Sequence, residues 1–600
     1  MEFLIEIASM ALGLLVPVAI IAAVVYGIMK LVRRPREFAD MDPGIGTVRR
    51  LYFYVVTLVA LVIGASGVVF IATFVVESIF IGGEVYTSTT RQAIGLSMTI
   101  VGLPLWWFHW RLIVRHVAEL PVETRSVVRK LYIYVALAIS GGLVVQGAIV
   151  ALGFMFRTSD FYGRPWAAMI VWGGVWAFHW RLESLEGQQT PETRALRRIY
   201  IYGVAGFTLV MAAAGFGQIV HLVLREAYDA LVSPPTVASS GLSDEQTRRA
   251  LILLVVGGAV WAGHWVYLAR DDEDSVLRQL YVYVLAQFVP FVAVFVASGL
   301  ALNETLVWAI GVPEDTASVH FRFIPDTLTV MIVAGSALAY HRFVADREAH
   351  GPSAEAQHAY PYALAGVGLL ALTLAISMLV NTVIAFALER DAAVSANELL
   401  RNSIAHVLSI GVLGAPMWWY YWNGVQRRLE TDGLEERSGR PRRIYLTAAQ
   451  GVGMIALLGS VSFVVFVFFR GVLEADLTDF VQDARVGLAI MVPMAIFLPY
   501  HWLVYREDRR VIGEVAPEDL PRERKSVTVF VSRDAWGFVE QIEKALGYAV
   551  TPLEWTDPDA RAPEISNGEL ADLVRRIGDA AGHNVLLVPD GGAVRVLSYE

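Results

Sequence analysis

Long apolar runs alternate with short charged segments along almost the whole chain. Each run is about the 20 residues that a helix needs to cross a bilayer, and thirteen are expected. The first extends over about 3–32; it opens on Glu2 and Glu6 instead of a basic region and lacks a small-residue cleavage site, so it reads as a retained helix. The other twelve fall near 51–78, 93–114, 131–156, 165–182, 199–224, 249–268, 280–302, 324–344, 362–388, 402–425, 443–469 and 485–505. Alternate connections, those at 31–50, 111–130, 181–198, 266–280, 342–359, 423–443 and 506–525, carry nearly three times the Lys and Arg of the opposite set. Positive charge is retained on the cytoplasmic side, so the N-terminus is expected outside and the C-terminus in the cytoplasm.

Composition agrees with that pattern. Of 600 residues, 56% are hydrophobic and 18% charged, with a mean hydropathy of +0.52, which excludes a soluble globular chain. A net charge of -9 argues against nucleic acid as a partner, and the bilayer is the partner that composition implies. There is no Cys, hence no disulfide, thiolate metal site or Cys nucleophile. No Gly-rich phosphate loop, HExxH or calcium-loop motif occurs.

The runs fall into six similar pairs. One helix of each pair opens on a tyrosine pair: Tyr52 and Tyr54, Tyr132 and Tyr134, Tyr200 and Tyr202, Tyr281 and Tyr283, then the weaker Tyr360 and Tyr362, and Tyr445 with Thr447. The returning helix closes on His109-Trp110, His179-Trp180, His264-Trp265, His341-Arg342, Tyr421-Trp422 and His501-Trp502. Three residues before stand Trp106, Trp176, Trp261, Leu338, Trp418 and Leu498; six before stand Leu103, Gly173, Gly258, Gly335, Ala415 and Ala495. The unit is a two-helix hairpin, and an even number of spans keeps every copy in one orientation. The expected organisation is a lead helix and basic linker at 1–47, hairpins at 48–116, 127–182, 195–268, 276–344, 358–425 and 441–505, a basic linker at 506–525 and a domain at 526–600. The fold class is thus an all-α polytopic membrane protein with a small C-terminal cytoplasmic α+β domain.

These LYxY openings and WxxHW closings resemble a family of bacterial integral-membrane proteins built from tandem two-helix repeats and known only as a domain of unknown function. The resemblance covers about 48–510 and implies a multi-pass membrane protein, with no activity to carry over.

Three readings of the repeated residues stand side by side. Trp and Tyr rings populate the headgroup belt, with Arg111 and Arg181 snorkelling beside them. Alternatively, each His meets a Tyr at the start of another helix as a clamp. Thirdly, His109, His179, His264, His341 and His501 share one level and suit haem ligation, although nothing in the sequence selects a facing pair, and no cofactor is expected. Among intramembrane polar residues, Gln146, Gln218, Gln287, Asn381 and His406 are the candidates for contact, with Gly173, Gly258 and Gly335 at tight helix crossings. Thr305–Val312 is too short to span and reads as a re-entrant or surface helix.

The tail changes pattern at Lys525. Strands are expected at Val527–Ser532, Ala549–Leu553, Asn584–Val588 and Val594–Ser598, with helices at Asp534–Leu546 and from Ser566 to about Ala580 and a turn at Pro589-Asp590-Gly591-Gly592. With 6 basic and 12 acidic residues from 526 to 600, this domain suits a protein or small effector as partner. With no catalytic set in view, a non-enzymatic membrane scaffold or sensor is the first reading of function. A transporter or channel-like conduit lined by Gln146, Gln218 and Gln287 is the second, and a haem-binding protein the third.

Overall fold

The computed structural model describes residues 45–80, 89–187, 190–232, 245–348 apart from 271, 273 and 274, 352–388, 395–514 apart from 432, and 525–599 apart from 532–535, 547, 549, 555–566 and 591–592. The expected lead helix at 3–32 lies outside these residues. The chain forms two compact units, Met1–Tyr360 and Pro361–Glu600.

In the first unit, four helical hairpins follow one another. They are α1 (Ile45–Phe80) with α2 (Thr89–Glu119), α3 (Val127–Met155) with α4 (Gly163–Glu186), α5 (Pro191–Val232) with α6 (Glu245–Leu268), and α7 (Val276–Ile310) with α8 (Ala317–Arg347). The hairpins also pack in pairs, α1 against α4 and α5 against α8, so the first and second form a four-helix group, as do the third and fourth. The second unit holds α9 from Pro361 onward (Pro352–Leu388), α10 (Ser395–Thr431), α11 (Arg440–Glu474), α12 (Phe480–Glu514) and the C-terminal domain. Nine of these helices are long and apolar enough to cross a membrane; α2, α4 and α10, returning helices that carry several Trp, fall below that measure. Only 11–39% of each apolar window is buried within the protein, and side chains such as Ile170, Ile455 and Leu473 point outward. Apolar surface on this scale needs an apolar solvent or a partner to cover it.

Glycine sets the closest crossings, one residue away from where the sequence put them. Gly173 has only a distant neighbour at 4.0 Å, and Gly258 and Gly335 face open space. Their predecessors in the odd hairpins are the contact points. A Cβ on Gly102 would lie 2.3 Å from the backbone N of Gly64, one on Gly257 2.7 Å from that of Ala212, and one on Gly414 2.8 Å from that of Leu372. Successive residues on a helix point about 100° apart, so a shift of one position turns a contact into an outward face. Thr305–Val312 also differs from expectation. No helix breaker stands before Gly311, so Thr305 to Ile310 are the last turns of α7.

The C-terminal domain comprises β1 (Ser526–Val531), α13 (Trp536–Leu546), β2 (Thr551–Glu554), α14 (Asn567–Asp579), β3 (Asn584–Asp590) and β4 (Ala593–Tyr599), in sheet order β2-β1-β3-β4. β1 is parallel to β2 and β3, and β4 is antiparallel to β3. Strand alternation puts Val527, Val529, Val585 and Leu587 on one face, where they pack with Phe538, Val539 and Ile542 of α13 and Leu573 and Ile577 of α14. The β3–β4 pairing extends to Asp590 opposite Ala593. The connection is therefore the two residues Gly591-Gly592, shorter than the four-residue turn expected.

Candidate functional site

The repeated histidines all use one geometry. Each stands late on its returning helix, and its Nδ1 donates to the carbonyl one turn earlier: His109 to Leu105, His179 to Val175, His264 to Val260, His341 to Ala337 and His501 to Phe497, at 2.8–2.9 Å. A carbonyl only accepts, so Nδ1 carries the proton, and in the neutral ring Nε2 is an acceptor. The opening tyrosine of the same hairpin supplies the donor. Tyr132 Oη lies 3.0 Å from His179 Nε2, Tyr200 3.5 Å from His264, and Tyr445 3.3 Å from His501.

The Trp three residues before the histidine reaches onward to the next hairpin. Trp176 Nε1 donates to Tyr200 Oη at 3.3 Å, Trp261 to Tyr281 at 2.8 Å and Trp418 to Tyr445 at 3.3 Å. Two complete chains result, Trp176 to Tyr200 to His264 and Trp418 to Tyr445 to His501, each ending on a backbone carbonyl. These indoles bond protein; the outward belt is formed by neighbours such as Trp107, Trp419 and Tyr420, which are more than half exposed. Trp502 is exposed as well, while Trp180 stacks on Trp176.

Hairpins 1, 4 and 5 depart from the pattern. Tyr52 is 58% exposed and meets His109 only edge to ring at 6.3 Å. Tyr281 contacts the His341 ring at 5.6 Å, yet His341 Nε2 has no hydrogen-bond partner. Here α7 is π-helical over Leu280–Phe288, and the wider turn re-aims the opening residues. In hairpin 5, Tyr421 takes the histidine's place against the Tyr362, Trp422 and Tyr445 cluster.

A second pattern runs across consecutive hairpins. The second tyrosine of one packs on the first tyrosine of the next: Tyr54 on Tyr132, Tyr134 on Tyr200, Tyr202 on Tyr281, Tyr283 on Tyr360 and Tyr362 on Tyr445, with ring centroids 5.5–6.3 Å apart. At every second junction the ladder carries an arginine latch, which sequence reasoning missed. Arg129, three residues before Tyr132, binds Glu186 through Nε at 3.0 Å and Tyr54 Oη at 3.2 Å, with its guanidinium 5.7 Å from the Trp110 ring. Arg278 binds Glu348 at 2.8 Å over the Trp265 ring at 4.6 Å, and donates to the Ala269 carbonyl at 2.5 Å. Arg442 binds Asp508 at 2.6 Å over Trp422 at 5.6 Å, and donates to Gln426 Oε1 at 3.0 Å. All three arginines are buried. Planar guanidinium suits both tasks, pairing with a carboxylate and lying over an indole.

The signal for the latch was present in the sequence but not confined to the even hairpins, since Arg49 and Arg197 also precede their opening tyrosines by three. Arg129, Arg278 and Arg442 each precede the opening tyrosine of an even hairpin by three, and Glu186, Glu348 and Asp508 follow its histidine by seven. In the odd hairpins that later position is His116, Asp271 or Arg428. Around the first latch, Lys130 also binds Glu183 at 2.9 Å, and Tyr134 Oη donates to Glu183 at 2.7 Å. Third-hairpin Arg198 and Tyr202 both bind Asp272.

The remaining candidates do not share one environment. Gln287 is fully buried and donates to the His341 carbonyl at 3.4 Å, as Gln450 does to that of His501 at 3.2 Å. Gln146 and Gln218 are exposed, Asn381 is half-buried, and exposed His406 bonds its own helix at Asn402. Iron ligation needs a free ring nitrogen; all five Nδ1 atoms and three of the five Nε2 atoms are already engaged. Among the described residues no cluster of three or more His, Asp or Glu could hold a metal ion.

Long apolar helices in hairpins, joined by a tyrosine ladder and latched in pairs, define a tandem-repeat all-α protein. The chain belongs to the DUF5671 family, a domain of unknown function, whose model matches it three times, at residues 50–159, 198–336 and 358–496. Each match begins in an odd hairpin, runs into the even hairpin that follows and includes one latch arginine. No curated protein and no solved structure matches the chain.

Proposed function

We propose that this protein is an integral membrane scaffold or sensor. It crosses the bilayer thirteen times, with its N-terminus outside, and presents the acidic C-terminal domain to a protein or small effector in the cytoplasm. The observation that carries this reading is the use made of the most reactive side chains. Arg129, Glu186, Tyr132 and His179, and their counterparts in the later four-helix groups, are engaged with one another and with Trp rings at the joints between hairpins. Such groups hold helices in register, where each in isolation inside a bilayer is costly. The dispersed environments of Gln146, Gln218 and Gln287 favour a packed bundle over a conduit, which needs a common polar lining.

Reconstitution tests the two readings against each other. Purified protein in liposomes is expected to pass Na+, K+, Cl- and protons no faster than empty vesicles. A flux that scales with protein and is lost in Gln287→Leu refutes the scaffold in favour of a conduit.

A further inference from the structure

A cavity of about 300 Å³ opens in the first four-helix group between α1, α3 and α4. Phe70, Leu143 and Trp172 supply apolar wall, and Ser66, Gln146 and Arg164 bring polar atoms to it. Arg164 is the second residue of α4, at the end of the hairpin remote from the latch. From there to Trp172 the cavity runs about 12 Å along the helix, at about 1.5 Å per residue. Its volume lies at the low end of ligand pockets, room for a segment of hydrocarbon chain and not for a large polar ligand.

Arg164 and Gln146 of this cavity have no hydrogen-bond or ion-pair partner among the described residues. Arg164 rests its guanidinium 5.6 Å from the Phe70 ring, and among the described residues no carboxylate pairs with it. The nearby carboxylate of Glu77 instead accepts the N–H of Gly163 at 3.1 Å. Gln146 likewise makes no hydrogen bond to a described residue. Both are exposed, and a guanidinium and an amide at an otherwise apolar cavity suit a ligand that joins an apolar chain to anionic acceptors. The other two groups carry different residues at the position of Arg164. Counted fifteen residues back from the histidine, Arg164 corresponds to Asp326 in the fourth hairpin and Val486 in the sixth, and Asp326 already faces His221 at 3.2 Å.

We infer that this cavity binds an anionic phospholipid from the outer leaflet, with one acyl chain between Phe70, Leu143 and Trp172 and the phosphate on Arg164. The guanidinium fork matches phosphate oxygens two at a time, and it stands at the mouth where an outer-leaflet headgroup lies. The inference rests on the membrane reading proposed above.

The test uses the full chain in nanodiscs that contain phosphatidylglycerol with a photoactivatable group on one acyl chain. Crosslinks are expected on peptides covering 143–150 and 165–172, with at least a fivefold lower yield from the matching phosphatidylcholine probe and from Arg164→Gln. Ala168→Trp, which fills the cavity, should remove them, and each variant should elute as the parent does. Equal yields from the two lipids, an unchanged yield in Arg164→Gln, or preferential labelling by a photoactivatable free fatty acid overturns the inference while leaving the protein in its bilayer. Release of the chain from native membranes by alkaline carbonate instead removes the membrane reading itself.

Discussion

Gly257 and Gly258 are neighbours in α6, and only the first faces α5. An Ala Cβ at 257 would stand 2.7 Å from Ala212 N and 3.1 Å from both Ala212 Cα and Thr208 O; at 258 it would meet nothing within 4 Å. Comfortable carbon contacts begin near 3.5 Å, so the Gly257→Ala backbone must retreat by about 0.8 Å from another backbone that has no rotamer to change. Ala exceeds Gly in helix propensity by about 1 kcal/mol at either site. That gain is common to both variants and cancels in their difference. What is left is the overpacking penalty, about 1–3 kcal/mol. Reversible unfolding of both variants in mixed micelles should therefore place Gly258→Ala at or above the parent and Gly257→Ala below its neighbour by that amount. Equal stabilities, or the reverse order, would refute the crossing geometry.

Two further outcomes are expected. The Tyr132–His179 bond should show a coupling of about 0.6 kcal/mol in a Tyr132→Phe and His179→Ala cycle, the average for interhelical bonds in membranes, whereas Tyr281→Phe and His341→Ala should show none, because His341 Nε2 is unbonded. Since the chain has no Cys, single cysteines report topology directly: Thr478→Cys should react with a membrane-impermeant maleimide on intact cells, and Ser184→Cys only after permeabilisation. Labelling in the opposite sense would reverse the proposed orientation.

Much of the helical architecture could be read from local signals. Apolar runs fall within every long helix described, and the Tyr and His-Trp signatures recur toward matching ends of those helices. What the sequence concealed depends on angle and on pairing. Gly257 and Gly258 differ only in which way they point, and an alignment registered on the histidine gave no reason to prefer one. The latch joins Arg442 to Asp508, 66 residues apart, and its acidic partner is missing from the first and fifth hairpins while its arginine is not marked out from Arg49 and Arg197. Aligning six single hairpins therefore averaged the signal away against His116 and Arg428. The π-helical turn at Leu280–Phe288 likewise has no periodic mark, since Tyr281 and Tyr283 keep the spacing found elsewhere.

The claim that the repeated chemistry of each four-helix group is a latch, and not a reactive site, is tested most directly in the last one. Arg442 and Asp508 are 1% and 4% exposed. Loss of Asp508 leaves the buried Arg442 charge unpaired, at about 3–5 kcal/mol, whereas loss of Arg442 leaves Asp508 its second partner, Arg437, at 2.7 Å; replacing both Arg442 and Asp508 with apolar residues of similar volume is often close to neutral. Unfolding of Arg442→Met, Asp508→Leu and the double variant should show the larger loss, about 3–5 kcal/mol, in Asp508→Leu and recovery of most of it when Arg442→Met is added, a coupling of about 3 kcal/mol or more. Simple addition of the two losses, with no recovery, would mean that the two residues do not serve each other and would contradict the latch.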